Sequence, residues 1–341
     1  MTLDEARRLW QPEGSYLNTA SYGLPPRPGW DAIQQALADW QTGQTSWEAW
    51  GDATHAARDA FARMVGVASE RVAVGATVSE LVGLVAASVE RGRLVCAEGE
   101  FTSLVWPWLV NGFDLTEVPL TGLAETIDTS TAVVAVSIVQ SSTGVLADLD
   151  AIVAAARAHG ALVVLDATQA CGWLPLDASR FDAVACAGYK WLCSPRGTAY
   201  LTLGDALLDR VLPLHAGWFA GEDIHSSYYG TPVRLATAAR RLDTSPAWFS
   251  WVGAAPTLGL LNEIGIETIH AHNVSLANRF RAGLAMPAGD SAIVAADLPG
   301  AEERLERAGI RASVREGSLR ASFHAYTTEA DVDAALDALS S

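Results

Sequence analysis

Between residues 71 and 203, short apolar runs alternate with segments in which apolar residues recur every three or four positions. The runs cover 71–74, 93–97, 132–138, 161–165, 182–187 and 198–203. Each is apolar at successive positions. A strand with one wet face would alternate, so these runs predict strands covered on both sides. The helical pattern lies between them at 78–90 and 148–158, the second stopped by Gly160. Two more helices, 31–40 and 52–65, precede the first strand, the latter ending near Gly66. Strand, turn and helix in alternation predict a parallel sheet sandwiched by helices, an α/β fold.

The rhythm changes after about residue 240. Helices are predicted over 253–264 and 266–284, a strand near 291–296, a helix over 300–308, strands at 310–314 and 319–323, and a helix over 329–339. That is a small α+β unit. The first 25 residues read as irregular, and three prolines crowd the turn-rich stretch 23–29. The expected division is an N-terminal arm (1–25) joining the small domain, a large domain (26–240) and a small C-terminal domain (241–341).

Half of the 341 residues are hydrophobic and 18% are charged, with a formal net charge of −16. The apolar share supplies a substantial core, and the low charged share suits a surface buried in an oligomer or covered by neutral groups. The acidic balance argues against a nucleic-acid or anionic-membrane partner, since both need a basic face. No apolar stretch approaches the ~20 residues that span a bilayer, and the opening MTLDEARRLW lacks the apolar centre of a signal peptide. Cys96, Cys171, Cys186 and Cys193 lie mostly in or beside the apolar runs and form no Cys-x-x-Cys pair, so they read as small core residues. A reduced, cytoplasmic protein is expected.

Of the 23 basic residues 22 are arginine, and the one lysine is Lys190. Arginine replaces lysine wherever only charge is needed. It does not replace an amine that must lose its proton and attack a carbonyl. A lone lysine therefore points to chemistry, or to an arginine-favouring genome in which one lysine survived. Its surroundings favour chemistry. In an open α/β sheet, ligands bind beyond the carboxyl ends of the strands, and three features fall there. At Val74-Gly-Ala-Thr-Val-Ser79 a strand turns directly into a helix, whose start offers free amides to a phosphate; Thr77 caps that helix or binds the phosphate. Asp166 directly follows the run 161–165, where a carboxylate serves a ligand or a metal or caps a loop. Lys190 follows the run 182–187. A phosphate cradle, a strand-end carboxylate and an amine are what pyridoxal phosphate requires: a dianion site, a partner for its ring nitrogen and a group to bond its aldehyde.

With these residues the chain resembles the fold-type I pyridoxal-phosphate enzymes of the class V aminotransferase family, which includes cysteine desulfurases, kynureninases and isopenicillin-N-epimerase-like proteins. The resemblance rests on Tyr16-Leu-Asn-Thr-Ala-Ser-Tyr-Gly23, Leu165-Asp-Ala-Thr-Gln-Ala170, Ala187-Gly-Tyr-Lys-Trp-Leu192 with Pro195-Arg-Gly197, and Leu319-Arg-Ala-Ser-Phe-His324 with Tyr326-Thr-Thr-Glu-Ala-Asp331. It implies a mostly parallel sheet between helices, a small α+β domain and a homodimer. It also implies roles. Lys190 would form the Schiff base and then move protons, Asp166 would pair with the pyridinium, and Gln169 would donate near the phenolic oxygen. Ala76 and Thr77 would bind phosphate, Phe101 would stack on the ring, and Tyr189 would stand for a phosphate-binding histidine. Arg320 would clamp a substrate carboxylate, with Asn18 and His225 also placed at the substrate. Ser245 would reach the phosphate of the neighbouring subunit.

Three departures from the family pattern matter. Ser141 stands where many relatives have asparagine, and Ala187 where a serine is frequent. No cysteine follows Cys193, so the desulfurase nucleophile expected shortly before Arg320 is missing. The resemblance implies an amino-acid substrate carried through an external aldimine. With Phe101 aromatic and that cysteine absent, a lyase that breaks a C–S or C–C bond in the substrate's side group is slightly preferred over an aminotransferase or an epimerase. A non-catalytic ligand-binding protein on the same fold is the distant alternative.

The remaining motifs are weaker. Trp47 and Trp50, among 12 tryptophans, lie three apart and suit a shared helix face, for core or dimer packing or for an aromatic pocket wall. The aromatic, loop-like stretch 217–230 is a candidate lining of the site. His270 and His272 read as surface histidines. No His-Glu-x-x-His, phosphate-loop lysine or Gly-x-Gly-x-x-Gly motif occurs, so neither a metal nor a dinucleotide is indicated.

Overall fold

The computed structural model describes residues 1–340. The chain opens with α1 (Leu3–Arg7), α2 (Arg27–Thr42) and α3 (Trp47–Met64). There follow β1 (Val72–Gly75), α4 (Val78–Ala86), β2 (Arg93–Ala97), α5 (Thr102–Val110), β3 (Asp114–Val118), α6 (Leu123–Thr126), β4 (Thr131–Ser137), α7 (Leu149–His159), β5 (Leu162–Asp166), β6 (Ala183–Ala187), β7 (Ala199–Leu203) and α8 (Asp205–Leu208). The last part holds α9 (Trp248–Ile264), α10 (Ile266–Gly283), β8 (Ile293–Ala296), α11 (Ala301–Arg307), β9 (Ser313–Arg315), β10 (Ser318–Ser322) and α12 (Glu329–Ser340).

The large sheet has the order β1-β7-β6-β5-β4-β2-β3. Successive side chains on a strand point to opposite faces, and both faces are dry. Val134, Val136, Val163, Leu165, Val184 and Tyr200 belong to one apolar cluster, and Val133, Ala135, Val164, Ala183, Ala185 and Leu201 to the other. This is why the central strands read as unbroken apolar runs. All four cysteines are buried and free. No described helix is long and apolar enough to cross a membrane.

The structure corrects the sequence reading at several points. β7 runs antiparallel to both β6 and β1. A parallel return needs a crossover of a dozen residues or more, usually a helix. The connection 188–198 is too short and is occupied by the lysine loop. α5, β3 and α6 were not expected: α5 contains Pro107, and edge strand β3 is partly exposed along its length, so neither shows a clean period. The first residues are not wholly irregular, because a Thr2–Glu5 capping box starts α1. His270 and His272 are not surface histidines. The first stacks on Trp173 at 5.7 Å, and the second donates from Nε2 to the Thr327 carbonyl at 2.9 Å, because that flank of α10 faces packed chain.

β8, β10 and β9 form the small antiparallel sheet. The N-terminal arm runs beside it. Leu17 donates its amide to the Arg311 carbonyl at 2.7 Å, and its own carbonyl accepts from the Ser322 amide at 2.9 Å.

β1 is an edge strand, and its outer polar groups are met by side chains. Arg58 on α3 donates to the Val72 carbonyl at 2.8 Å. Asp243 accepts from the Val74 amide at 2.9 Å and pairs with Arg58 at 2.5 Å. Both side chains are buried. The pair stands where a further strand would add, and it steadies the strand that leads into α4.

Candidate active site

The carboxyl ends of β4, β5 and β6, the start of α4 and the segment after β2 surround a cavity of about 270 Å³. Its lining includes Thr77, Ser79, Phe101, Ser137, Ser141, Asp166, Gln169, Tyr189, Lys190 and Arg196. Lys190 and Asp166, from two adjacent strand ends, share it as their spacing suggested. The lysine loop is braced from below: the Ala187 amide donates to Thr168 Oγ1 at 3.0 Å, and the Trp191 indole donates to Gln169 Oε1 at 2.8 Å. From above, the Gly23 amide donates to the Tyr189 carbonyl at 3.0 Å. A Cβ on Gly23 would fall 1.9 Å from the Lys190 carbonyl oxygen, so only glycine allows the arm this close.

Lys190 is buried. Desolvation lowers its pKa to about 8, against the opposing pull of Asp166 and with help from Arg320. Its Nζ lies 5.4 Å from the centre of the half-exposed Phe101 ring. Asp166 is buried and accepts the Thr168 amide at 2.8 Å. Burial pushes its carboxyl upward, although Thr168 and Lys190 pull the other way. Among the described residues no basic group lies within ion-pair distance of it. A buried carboxylate with one amide donor is short of a positive partner.

Two expected contacts are already engaged. The Ala76 amide donates to Glu80 Oε2 at 2.8 Å, and Thr77 Oγ1 caps α4 by accepting the Glu80 amide at 3.2 Å, so Thr77 does serve as a cap. The amides of Val78 and Ser79, in the first turn, have no intrahelical acceptor and remain for an anion. Gln169 donates to the Ala20 carbonyl at 3.0 Å and to Ser141 Oγ at 3.1 Å.

Arg320 is buried behind Ser141. It donates to the Ser141 carbonyl at 2.5 Å and to Ser21 Oγ at 2.7 Å. Asn18 sits in the turn that includes Ser21, its carbonyl accepting the Ser21 amide at 2.9 Å. Its buried Oδ1 has no partner among the described residues. His225 and Ser245 are exposed and lie outside this cavity. His225 packs on Trp47 at 5.2 Å, and Trp47 also meets Trp218 and Tyr228. Trp47, Trp50 and residues of the stretch 217–230 therefore belong to an aromatic cluster that lies apart from this cavity.

Glu100 escaped the sequence reading. Its carboxylate accepts from the Ser137 amide (2.7 Å), the Ser137 hydroxyl (2.5 Å) and Gln140 Nε2 (2.8 Å), and burial raises its pKa. It fixes the end of β4 against the segment carrying Phe101. The rule that found Asp166, an acid directly after an apolar run, points after β2 to Glu98 instead, so no local signal marked Glu100. Ser79, Ser137, Thr168 and Arg196 were also not anticipated.

An amine close to neutrality, a buried carboxylate lacking a cation, an aromatic ring and a helix start with free amides fit a flat cationic heterocycle that bears an aldehyde and a phosphate. Comparison with known proteins agrees. Residues 34–297 match the model of the family described as aminotransferase class-V. The protein is 27% identical to the "uncharacterized aminotransferase YcbU" of Bacillus subtilis (strain 168), over 86% of its own length and 85% of that protein. It is 28% identical to isopenicillin N epimerase of Streptomyces clavuligerus, over 98% and 96%. A solved structure of a mutant C-DES with glycine covalently linked to its PLP cofactor superposes with a TM-score of 0.88 at 20% identity, covering 98% of both proteins. C-DES is described as a cystine C-S lyase.

Proposed function

The chain belongs to the class V aminotransferase family, and from that premise we propose that this pyridoxal-phosphate enzyme binds its cofactor between Lys190 and Asp166 and cleaves a C–S or C–C bond in the side group of an amino acid. The observation that carries the site assignment is the cavity shared by the protein's one lysine and a buried carboxylate without a cation. When bound, the cofactor supplies an aldehyde for amines and a ring that takes up electrons from the substrate Cα.

The protein's own residues do the rest. Asp166 balances positive charge at the ring nitrogen, and gains the cation its burial calls for. Phe101 covers one side of the ring. Thr77 and the amides of Val78 and Ser79 hold the phosphate, with the helix start adding its positive end. Lys190, with a pKa of about 8, is unprotonated in roughly a tenth of molecules at pH 7. It can therefore take a proton from the substrate Cα and return it elsewhere. Arg320 provides a planar fork for the substrate carboxylate once Ser21 and Ser141 yield their places. Gln169 and Tyr189 serve the cofactor's phenolic oxygen and phosphate, the former by giving up its bond to Ser141.

The lyase reading is supported by Phe101 at the ring position and by the lack of any cysteine after Cys193 to carry a persulfide. Epimerisation is the second reading, favoured by the epimerase relative that matches nearly the full length. We infer a cytoplasmic homodimer, in which the exposed His225 and Ser245 serve the neighbouring site. The four free, buried cysteines suit a reducing compartment. Incubating cofactor-loaded protein with an amino-acid panel tests the reaction. Ammonia with a released fragment of the substrate's side group supports cleavage. Pyridoxamine phosphate with a keto acid, or inverted amino acid alone, replaces that reading with transfer or epimerisation.

A further inference from the structure

β9 and β10 pair with Ser313 opposite Arg320 and Arg315 opposite Ser318. Residues directly opposite in an antiparallel pair share a face, and alternate residues return to it. Arg315 and Arg320 therefore project from the same face of one hairpin, while Leu319 on the other face enters the apolar core. On the shared face the two guanidinium groups meet a single acceptor: Ser21 Oγ takes a hydrogen bond from Arg320 Nη2 at 2.7 Å and from Arg315 Nη2 at 3.1 Å.

Two cations held at one hydroxyl repel each other unless an anion joins them. Among the described residues no acid does: neither arginine has a carboxylate within 4.0 Å, although acids outnumber bases by 39 to 23 in the sequence. Burial and the nearby Arg315 lower the pKa of Arg320 to about 10. The pair lies behind the cavity wall, neither arginine lining it directly. Arg320 touches the lining residue Ser141, and the field of both arginines reaches Lys190. Arg315 is exposed, with a second bond only to the neighbouring Val314 carbonyl, so it is free to swing onto a ligand.

We propose that Arg315 and Arg320 form a two-carboxylate subsite, and that the substrates are α-amino acids carrying a second carboxylate. This rests on the function proposed above. Arg320, the buried member, takes the α-carboxylate. Arg315, at the turn of the hairpin, takes the distal one. A planar fork matches a carboxylate with two parallel bonds, and Ser21 Oγ holds the place of an anionic oxygen until the ligand arrives.

The test uses cofactor-loaded protein titrated with aspartate, glutamate and 2-aminoadipate, each against its distal amide, with the shift in cofactor absorbance giving Kd. For at least one ligand length the diacid should bind roughly tenfold or more tightly than its amide, the scale of a charge-assisted hydrogen bond. Arg315→Gln should bring that ratio close to one, and Arg315→Lys should give an intermediate ratio, charge being kept and the fork lost. Arg320→Gln should weaken diacid and amide alike. A response to the amides with no diacid preference at any length, or a preference that survives Arg315→Gln, overturns the subsite while leaving the wider reading intact. Cofactor-loaded protein that responds to no amino acid overturns both.

Discussion

Asp243→Ala removes the acceptor that closes the outer edge of β1. The loss has two parts. Arg58 keeps its guanidinium in a setting where only 5% of the side chain is exposed, now without a counter-charge; breaking one partner from a buried pair costs about 3–5 kcal/mol. The Val74 amide also loses its 2.9 Å acceptor, worth about 1–3 kcal/mol if no water replaces it. The two losses share a site, and water entering for one helps the other, so about 3–5 kcal/mol is expected in total. Asp243→Asn keeps an acceptor for Val74 but also removes the counter-charge of Arg58 and sets an amide donor against its Nη2, so it should be milder than the alanine variant only by the Val74 share, about 1 kcal/mol. Urea unfolding of cofactor-free protein measures both. Because β1 runs directly into the turn before α4, the alanine variant should also release cofactor faster on dialysis. A cost below about 1 kcal/mol for Asp243→Ala with cofactor retention like the parent's would refute the argument, as would an asparagine variant as unstable as the alanine one.

Further predictions concern the site and its supports. Lys190 is the only lysine, so in cofactor-free protein an amine-acylating reagent reports on it alone among side chains. Its labelling rate should rise with a midpoint near pH 8, set by burial, and a midpoint at the ordinary 10.5 would remove the premise for its proton transfer. Gly23→Ala places a methyl 1.9 Å from the Lys190 carbonyl oxygen; both are held by backbone, so the melting temperature should fall and cofactor content drop with it, whereas normal loading would show that the arm does not brace the loop. His324 is buried, donates from Nε2 to the Trp191 carbonyl at 2.9 Å, and has its pKa lowered to about 3 by desolvation. Between about pH 6.5 and 3 the unfolded state binds the extra proton, so stability falls as pH falls through that window, by up to ~1.4 kcal/mol per pH unit. His324→Phe should flatten that part of the stability–pH curve; parallel curves for parent and variant would assign the slope elsewhere.

Local pattern sufficed for much of this protein. Apolar runs with no alternation announced the buried central strands, and Gly160 with its left-handed backbone ended α7 where the period stopped. The lone lysine, the strand-end acid and the helix start, each ambiguous alone, pointed together to pyridoxal phosphate, the cofactor that the family match supports. What depended on partners far away in sequence was not legible. The antiparallel course of β7 is the exception, since the short connection 188–198 that forces it is itself local. Arg58 closes the β1 edge with an acid 185 positions away, and Arg320 meets Ser21 across 299. Periodicity, caps and turns are written in neighbouring residues, since they arise from backbone geometry within a few positions. Which arginine finds an acid, which finds only a hydroxyl, and which amide at a helix start stays free are decided when folding brings distant segments together and excludes water from some of their contacts.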